Sequence, residues 1–283
     1  MKIGKTYVFT VDRETKLGYV LEKDGEEFFL HHNECNGNSF IPGDKAKAFL
    51  YVDKKNRVAA TLFKPLLEVG ETKLLTVTDV NKNLGIFFNI GISKDILLSA
   101  EDLPKDDREW PKVGDKVPCE LKIKANRLAL KIANKPEILR LCEKEVRLNK
   151  NDQVTGYVYR MTPEGINLVT DDYEVIFIYK NNFRNRVHLG EALDVKIIDI
   201  HETDYSGTLN KNKEYQIDDD LVIILDYLYK NNGVMMITEK SSPELISKLF
   251  NMSKTAFKNA IGRLLKQDKI EILENKIILK NVY

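Results

Sequence analysis

The sequence predicts a mostly β, multidomain chain: three small five-stranded antiparallel barrels in tandem, followed by an α+β module. Three observations carry this. One pattern of short strands repeats three times along the chain. Turn signals recur roughly every eight to twelve residues inside each repeat, the spacing of small antiparallel barrels. The hydrophobic period then changes from strand-like to helical after Tyr215.

The repeats run from Leu17 to Leu62, from Leu84 to Ile132 and from Glu164 to Asn210. A strand precedes each one ("TYVFTV", "TKLLTVTDV", "QVTGYVYRM"), and a glycine (Gly18, Gly85, Gly165) then opens the next. After a turn comes a strand of four apolar or aromatic residues. A polar loop leads to Gly43-Asp44, Gly114-Asp115 or Gly190-Glu191, and then to an alternating strand such as "AKAFLYV" or "LDVKIIDI". A last short strand completes five. The recurring Gly to Gly-Asp spacing makes this an internal repeat rather than an unrelated run of strands. "NKPEILRLCEKEVRLN", between the second and third repeats, reads as a short helix and linker.

In the C-terminal part, "DDDLVIILDYLYKNNG" reads as a helix opened by Asp218, Asp219 and Asp220 and closed by Asn-Asn-Gly. "MMIT" suits a short strand. "SSPELISKLFN" starts with N-cap and first-turn chemistry. "MSKTAFKNAIGRLLKQDK" is a third helix capped by Ser253, and "IEILENKIILK" is a hairpin turning at Glu274-Asn275. That order is a winged helix-turn-helix. On the third helix Phe257, Ala260, Ile261, Leu264 and Leu265 form the apolar face. Thr255, Lys258, Asn259, Gly262, Arg263 and Lys266 form the outer one, which in a DNA-binding module enters the major groove. The expected boundaries are 1–64, 65–134 and 149–212 for the barrels, 135–148 for the linker, and 217–283 for the winged helix.

Composition narrows the function. The 283 residues carry a net charge of +1, so any nucleic-acid surface is a local patch, with modest and salt-sensitive binding. No apolar run is long enough for a membrane helix, and the N-terminus lacks a signal-peptide core, so a cytoplasmic protein without a membrane partner is expected. Cys35, Cys119 and Cys142 show no Cys-x-x-Cys spacing, which argues against a disulfide framework or a structural zinc site. No phosphate-binding loop, nucleophile elbow or zinc-protease motif is present, so neither an enzyme nor a cofactor or metal is expected.

The order Gly-x-aromatic-apolar, then "DILLSAEDL", then "VGDKVPCELKI" resembles the S1 RNA-binding domain, a five-stranded OB-fold barrel. The second repeat fits best and the first fits through "FFLHHNE". The third departs from it, with Asn167 at the aromatic position and Asn182 at the acidic one. Three such barrels and a winged helix resemble the conserved virulence factor B (CvfB) family over essentially the whole chain, with "MSKTAFKNAIGRLLKQDKI" especially similar. The resemblance implies a cytoplasmic, non-enzymatic RNA-binding protein that affects virulence gene expression in Gram-positive bacteria.

Strand parity places the candidate site. Side chains alternate between faces, so Phe28 and Leu30 point one way and Phe29 and His31 the other. The same register turns Ile96 and Leu98 inward with Leu97 and Ser99 outward, and Ile176 and Ile178 inward with Phe177 and Tyr179 outward. Val20, Phe87 and Asn167 are the outward positions of the neighbouring strand, and only Phe87 keeps the aromatic. Outward aromatics suit a platform for unstacked bases, and the S1 resemblance implies RNA contact at these positions. The other reading is packing against a neighbouring barrel. Tyr7, Phe9, Tyr19, Tyr51, Tyr157 and Tyr159 add further aromatics, some of which periodicity places in cores. Arg160, Lys180, Arg184 and Arg186 offer cations beside the third platform, or form an ordinary solvated loop. A metal at His31 and His32 is disfavoured, because adjacent strand residues point apart and His188 and His201 lie in another repeat. The expected partner is single-stranded RNA. The alternatives are duplex DNA on the outer face of the third helix (Lys258, Asn259, Arg263, Lys266), or a protein-interaction scaffold on ribosome or nuclease machinery.

Overall fold

The computed structural model describes residues 1–53, 55–142, 148–210 and 213–280, with 213–218 described as backbone only. It contains two compact units: Met1–Tyr179 with Val187–Gly207, and Lys180–Arg186 with Thr208–Tyr283.

The first unit holds three closed five-stranded barrels of one topology. Barrel 1 is built from β1 (Thr6–Thr15), β2 (Gly18–Lys23), β3 (Glu26–His31), β4 (Lys45–Val52) and β5 (Val58–Thr61). Barrel 2 uses β6 (Thr72–Asn81), β7 (Gly85–Phe88), β8 (Ile96–Ser99), β9 (Lys116–Lys124) and β10 (Arg127–Ile132). Barrel 3 uses β11 (Gln153–Thr162), β12 (Gly165–Val169), β13 (Val175–Tyr179), β14 (Ala192–Ile200) and β15 (Tyr205–Thr208). In each barrel the first three strands form a meander, and the fifth closes the ring by lying parallel to the third, as in Phe29 beside Ala59.

The recurring glycines have a steric cause. A Cβ on Gly18, Gly85 or Gly165 would lie well inside van der Waals contact of the carbonyl oxygen of Leu30, Leu98 or Ile178, so the second strand can start against the third only with hydrogen at that position. The Gly-Asp pairs have another. Gly43, Gly114 and Gly190 adopt φ of 97°, 93° and 76°, and the next carboxylate accepts the N–H three residues back: Asp44 from Ile41 (2.9 Å), Asp115 from Lys112 (2.7 Å) and Glu191 from His188 (2.9 Å). Each turn also exchanges two backbone hydrogen bonds with the first strand of its barrel (Val11, Val77, Val158), next to a register shift there. One sequence signature thus pins turn, bulge and register together.

The inward parity is as expected. Leu30, Ile86, Leu98, Leu168, Ile176 and Ile178 are fully buried, and Phe28 is buried against Phe9. Phe9, Tyr19, Tyr51, Tyr157 and Tyr159 are buried too. Cys35 and Cys119 are interior, and burial pushes both thiols up.

The barrels of this unit are joined by more than linkers. Phe49, Tyr51 and Ala59 from barrel 1 belong to the same apolar cluster as Leu75, Ile86, Phe88 and Leu98 of barrel 2. Between barrels 2 and 3 the two Gly-acid turns meet. His188 places Nε2 2.8 Å from Asp115 and Nδ1 2.9 Å from Glu191, and the Leu189 N–H donates to the Glu109 carbonyl. Helix α1 (Lys135–Leu139) is fixed by a capping box between Asn134 and Glu137. It buries Ile138 in a cluster with Tyr157, Tyr159 and Val175 of barrel 3, while the Lys135 ammonium reaches Asp204. Within the expected linker 135–148, residues 143–147 lie outside the described residues.

The second unit contains α2 (Lys213–Lys230), β16 (Val234–Met235), α3 (Pro243–Phe250), α4 (Lys254–Lys266), β17 (Ile270–Ile272) and β18 (Ile277–Leu279). The three strands form one sheet in the order β16-β18-β17, the arrangement of a winged helix. Ser242 and Ser253 cap α3 and α4 through the N–H groups of Leu245 and Ala256. Phe257, Ala260, Ile261 and Leu264 fill the core with Ile224, Leu228, Ile246 and Phe250.

Two expectations fail here. Helix α2 starts at Lys213, so Asp218–Asp220 lie inside it rather than at its N-terminus. Lys213, Glu214 and Gln216 are good helix formers and extend it backwards. Asp220 is 2% exposed and takes the Arg184 guanidinium at 2.5 Å, so it is a buried ion-pair partner, not a dipole cap. Leu265 is 45% exposed. At about 100° per residue it sits at the edge of the stripe centred between Phe257 and Leu264.

Candidate nucleic-acid interface

The second and third strands of each barrel carry the candidate face, and backbone pairing sets its geometry. Val20 lies opposite Phe29, Phe87 opposite Leu97 and Asn167 opposite Phe177. The expected side chains therefore stand side by side in each barrel, as parity requires.

In barrel 1, Phe29 and His31 are half-buried and meet edge-on, with ring centroids 6.1 Å apart. His31 also caps the 3-10 turn that follows, its Nδ1 accepting the Asn33 N–H at 3.1 Å. The neutral ring then carries its proton on Nε2. His32 begins that turn and lies against Tyr19 (5.3 Å), so the two histidines have different partners. In barrel 2, Phe87 is half-buried, and Ser99 caps the next turn through the Glu101 N–H at 3.4 Å, as His31 does in barrel 1. In barrel 3, Phe177 and Tyr179 stand nearly perpendicular with centroids 4.7 Å apart, and Tyr179 is 53% exposed. Ser206 pairs beside Phe177 and holds His201 Nε2 at 2.8 Å. Arg160 pairs with Asn167 and is exposed.

Of the four cations expected beside Phe177 and Tyr179, Arg160 lies in the first unit, and Lys180, Arg184 and Arg186 belong to the second. There Lys180 sits over the Phe183 ring at 4.6 Å, and Arg184 is committed to Asp220. Arg186 is exposed. On α4, Lys258, Asn259 and Lys266 are exposed and Arg263 is partly buried.

Two recesses extend the face in the first unit. One, of about 540 Å³, is lined by Phe29, His31, Glu34, Tyr51, Lys55 and Arg57 among others. The second, of about 570 Å³, is lined by Phe87, Leu97, Ser99, Lys124 and Arg127 among others. Tyr51 and Lys94 line both. Burial first, and then the Glu34 carboxylate, pushes the Tyr51 phenol up to about 12, so it stays protonated at neutral pH. The Ser93 hydroxyl donates to Glu34, and the Lys94 ammonium donates to the Val52 carbonyl at 3.2 Å, both from barrel 2 to barrel 1. Several groove cations already face carboxylates. Arg57 makes a two-pronged contact with Asp53 (3.0 and 2.8 Å), and Lys124 lies 3.1 Å from Glu101. The Arg57 backbone N–H, and after it the guanidinium, holds the Asp53 carboxyl below its usual range.

Sequence reasoning did not single out Glu34, Lys55, Arg57, Ser93 or Lys94. Tyr51 entered only as one aromatic among several. The face of barrel 1 is completed by a loop of barrel 2, 59 residues away between Glu34 and Ser93, and no local pattern announces such a contact. Among the described residues, no group of three or more His, Cys, Asp or Glu is placed to hold a metal ion. No described helix is long and apolar enough to cross a membrane.

Four family models match along the chain: an S1 domain over residues 3–62, the CvfB first S1-like domain over 73–129, the second domain of virulence regulatory factor CvfB over 140–212, and a CvfB-like winged helix domain over 223–279. The Bacillus subtilis protein YitL is 34% identical over 275 residues, covering 95% of this chain and 91% of its own. Conserved virulence factor B of Staphylococcus epidermidis is 29% identical over 260 residues, with 90% and 87% covered. A crystal structure of a multidomain protein with nucleic acid binding domains from Streptococcus pneumoniae is 28% identical, with 98% of both chains covered and a TM-score of 0.64. Three of the four models describe S1-like or winged-helix modules, three name CvfB, and all four fall in order on the barrels and the terminal module. The chain belongs to the CvfB family.

Proposed function

We propose that this protein binds single-stranded RNA on the outward faces of its barrels and regulates gene expression, including virulence genes, after transcription, in the cytoplasm. The observation that carries this is the paired, partly exposed aromatic platform on the third strand: Phe29 with His31, and Phe177 with Tyr179. Flat rings left open on a barrel surface suit unstacked bases. Stacking contributes about 1–3 kcal/mol per base and tolerates any sequence. No catalytic step is part of the proposal.

The test is anisotropy titration of the full chain with single-stranded RNA and with duplex DNA of equal length, at two salt concentrations. Single-stranded RNA is expected to bind more tightly. Phe29→Ala and Phe177→Ala should each weaken it about 5- to 160-fold, the range of one lost stack, with thermal midpoints nearly unchanged. Preference for duplex, lost in Lys258→Ala/Lys266→Ala but not in the phenylalanine variants, would move the function to α4 and overturn the proposal.

A second reading, protein contact by the winged helix, is favoured by one observation. Val222, Tyr229 and Met236 are 65%, 65% and 66% exposed in a module whose residues 217–283 carry ten Lys and Arg against nine Asp and Glu. Phosphate binding needs a clear basic excess, whereas exposed apolar side chains suit a protein partner.

A further inference from the structure

We propose that barrels 1 and 2 form one continuous track for a single RNA strand, which crosses from one barrel to the other over Tyr51 and beside Lys94. This rests on the RNA-binding reading above and adds the path of the strand to it.

Three observations support the track. First, the recess beside the barrel 1 platform and the recess beside Phe87 share Tyr51 and Lys94 in their walls. Second, the seam is built rather than incidental. Ser93 and Lys94, from the loop between β7 and β8, bond to Glu34 and to the Val52 carbonyl, and Tyr51 is anchored in the apolar cluster of barrel 2. The two faces are therefore held in one relation instead of being tethered. Third, the surface along the path has the composition of a single-strand site. Phe29 lies at one end and Phe87 at the other, with the Lys94 ammonium between them to meet the backbone. Arg57 and Lys124 stand along it in exposed ion pairs, which contribute little and which a phosphate can replace.

A fixed seam changes what linkage does. Two tethered sites gain through an effective concentration set by linker length. On a preformed track the strand takes up the second face as soon as it is long enough to reach it, with no loop to order first.

The test uses the full chain and fluorescein-labelled oligouridylates of about 4 to 16 nucleotides, the span of single-barrel site sizes. Affinity should step up by about tenfold or more once an oligomer reaches both faces. In a Phe177→Ala background, which removes the barrel 3 platform, long oligomers should bind one per chain, and Phe29→Ala and Phe87→Ala should each weaken that one complex. Lys94→Ala should weaken the long oligomers, cut their salt slope by about 0.7, and leave the shortest ones unaffected. Thermal melts of each variant separate lost contact from lost fold. Two long oligomers per chain, with each phenylalanine variant removing one of them, would overturn the track while leaving RNA binding intact. So would a Lys94→Ala variant that folds and binds every length like the parent. If no oligomer binds at any length, the RNA reading itself fails, and the track fails with it.

Discussion

A methyl group on Gly85 would point into the Leu98 carbonyl, and backbone cannot give way as a side-chain tip can. Gly85→Ala is expected to cost about 1–3 kcal/mol, read as a fall in the denaturant midpoint. Gly37→Ala, in a loop with open space around it, escapes the clash and shows only the strain of its positive φ. His31 separates fold from binding. His31→Asn keeps a side-chain acceptor for the Asn33 N–H, a role asparagine fills well, but removes the ring beside Phe29. Its melting temperature should hold while RNA affinity falls, and equal affinity would make His31 a capping residue only. At this scale the sequence was largely readable. Period-two alternation placed Phe28 inward and Phe29 and Phe177 outward, because a closed barrel enforces one register. The cap made by His31 was not readable, since histidine is an uncommon cap and nothing in "FFLHHNE" marks it.

Single elements carry two further expectations. In α1, burial pushes the Glu137 carboxyl up, but the Lys131 ammonium and the Asn134 backbone N–H outweigh it and leave it below the usual carboxylate range. A depressed folded-state pKa means stabilisation present above the unfolded-state value and lost as pH falls through the folded one. Glu137→Gln should therefore melt below the parent at neutral pH, and the gap should close as pH falls through and below the usual carboxylate range. In α2, Asp220 is buried beside Arg184. Removing the cation strands a charge in the interior, at a cost of about 3–5 kcal/mol. Arg184→Ala should thus destabilise the winged-helix unit, with any loss of RNA binding secondary to that. From the sequence Arg184 looked like a phosphate ligand and Asp220 like a helix cap. Their partnership spans 36 residues, and the triple acid imitates an N-terminus. The wing hairpin and the serine caps of α3 and α4 were readable because their signals are local.

For the whole molecule, the balanced charge of the groove predicts a shallow salt response. With one or two phosphate contacts, the slope of log affinity against log salt should be about −0.7 to −1.4, measurable by titration from low to moderate ionic strength. A much steeper slope would place RNA on a more basic surface than the barrel faces. Three repeats and a terminal module could be read in advance, because each barrel repeats its own turn chemistry. The joints could not. His188 meets Asp115 across 73 residues, and Phe49 and Tyr51 serve the core of the next barrel. That shared core ties the two barrels in time as well as in space. During synthesis barrel 1 emerges first, with Phe49, Tyr51 and Ala59 bare until the second repeat follows, so its folding on the ribosome is expected to stay incomplete until about residue 130 has cleared the exit tunnel. In calorimetry the two barrels should melt in one cooperative transition, and the first repeat made alone should aggregate.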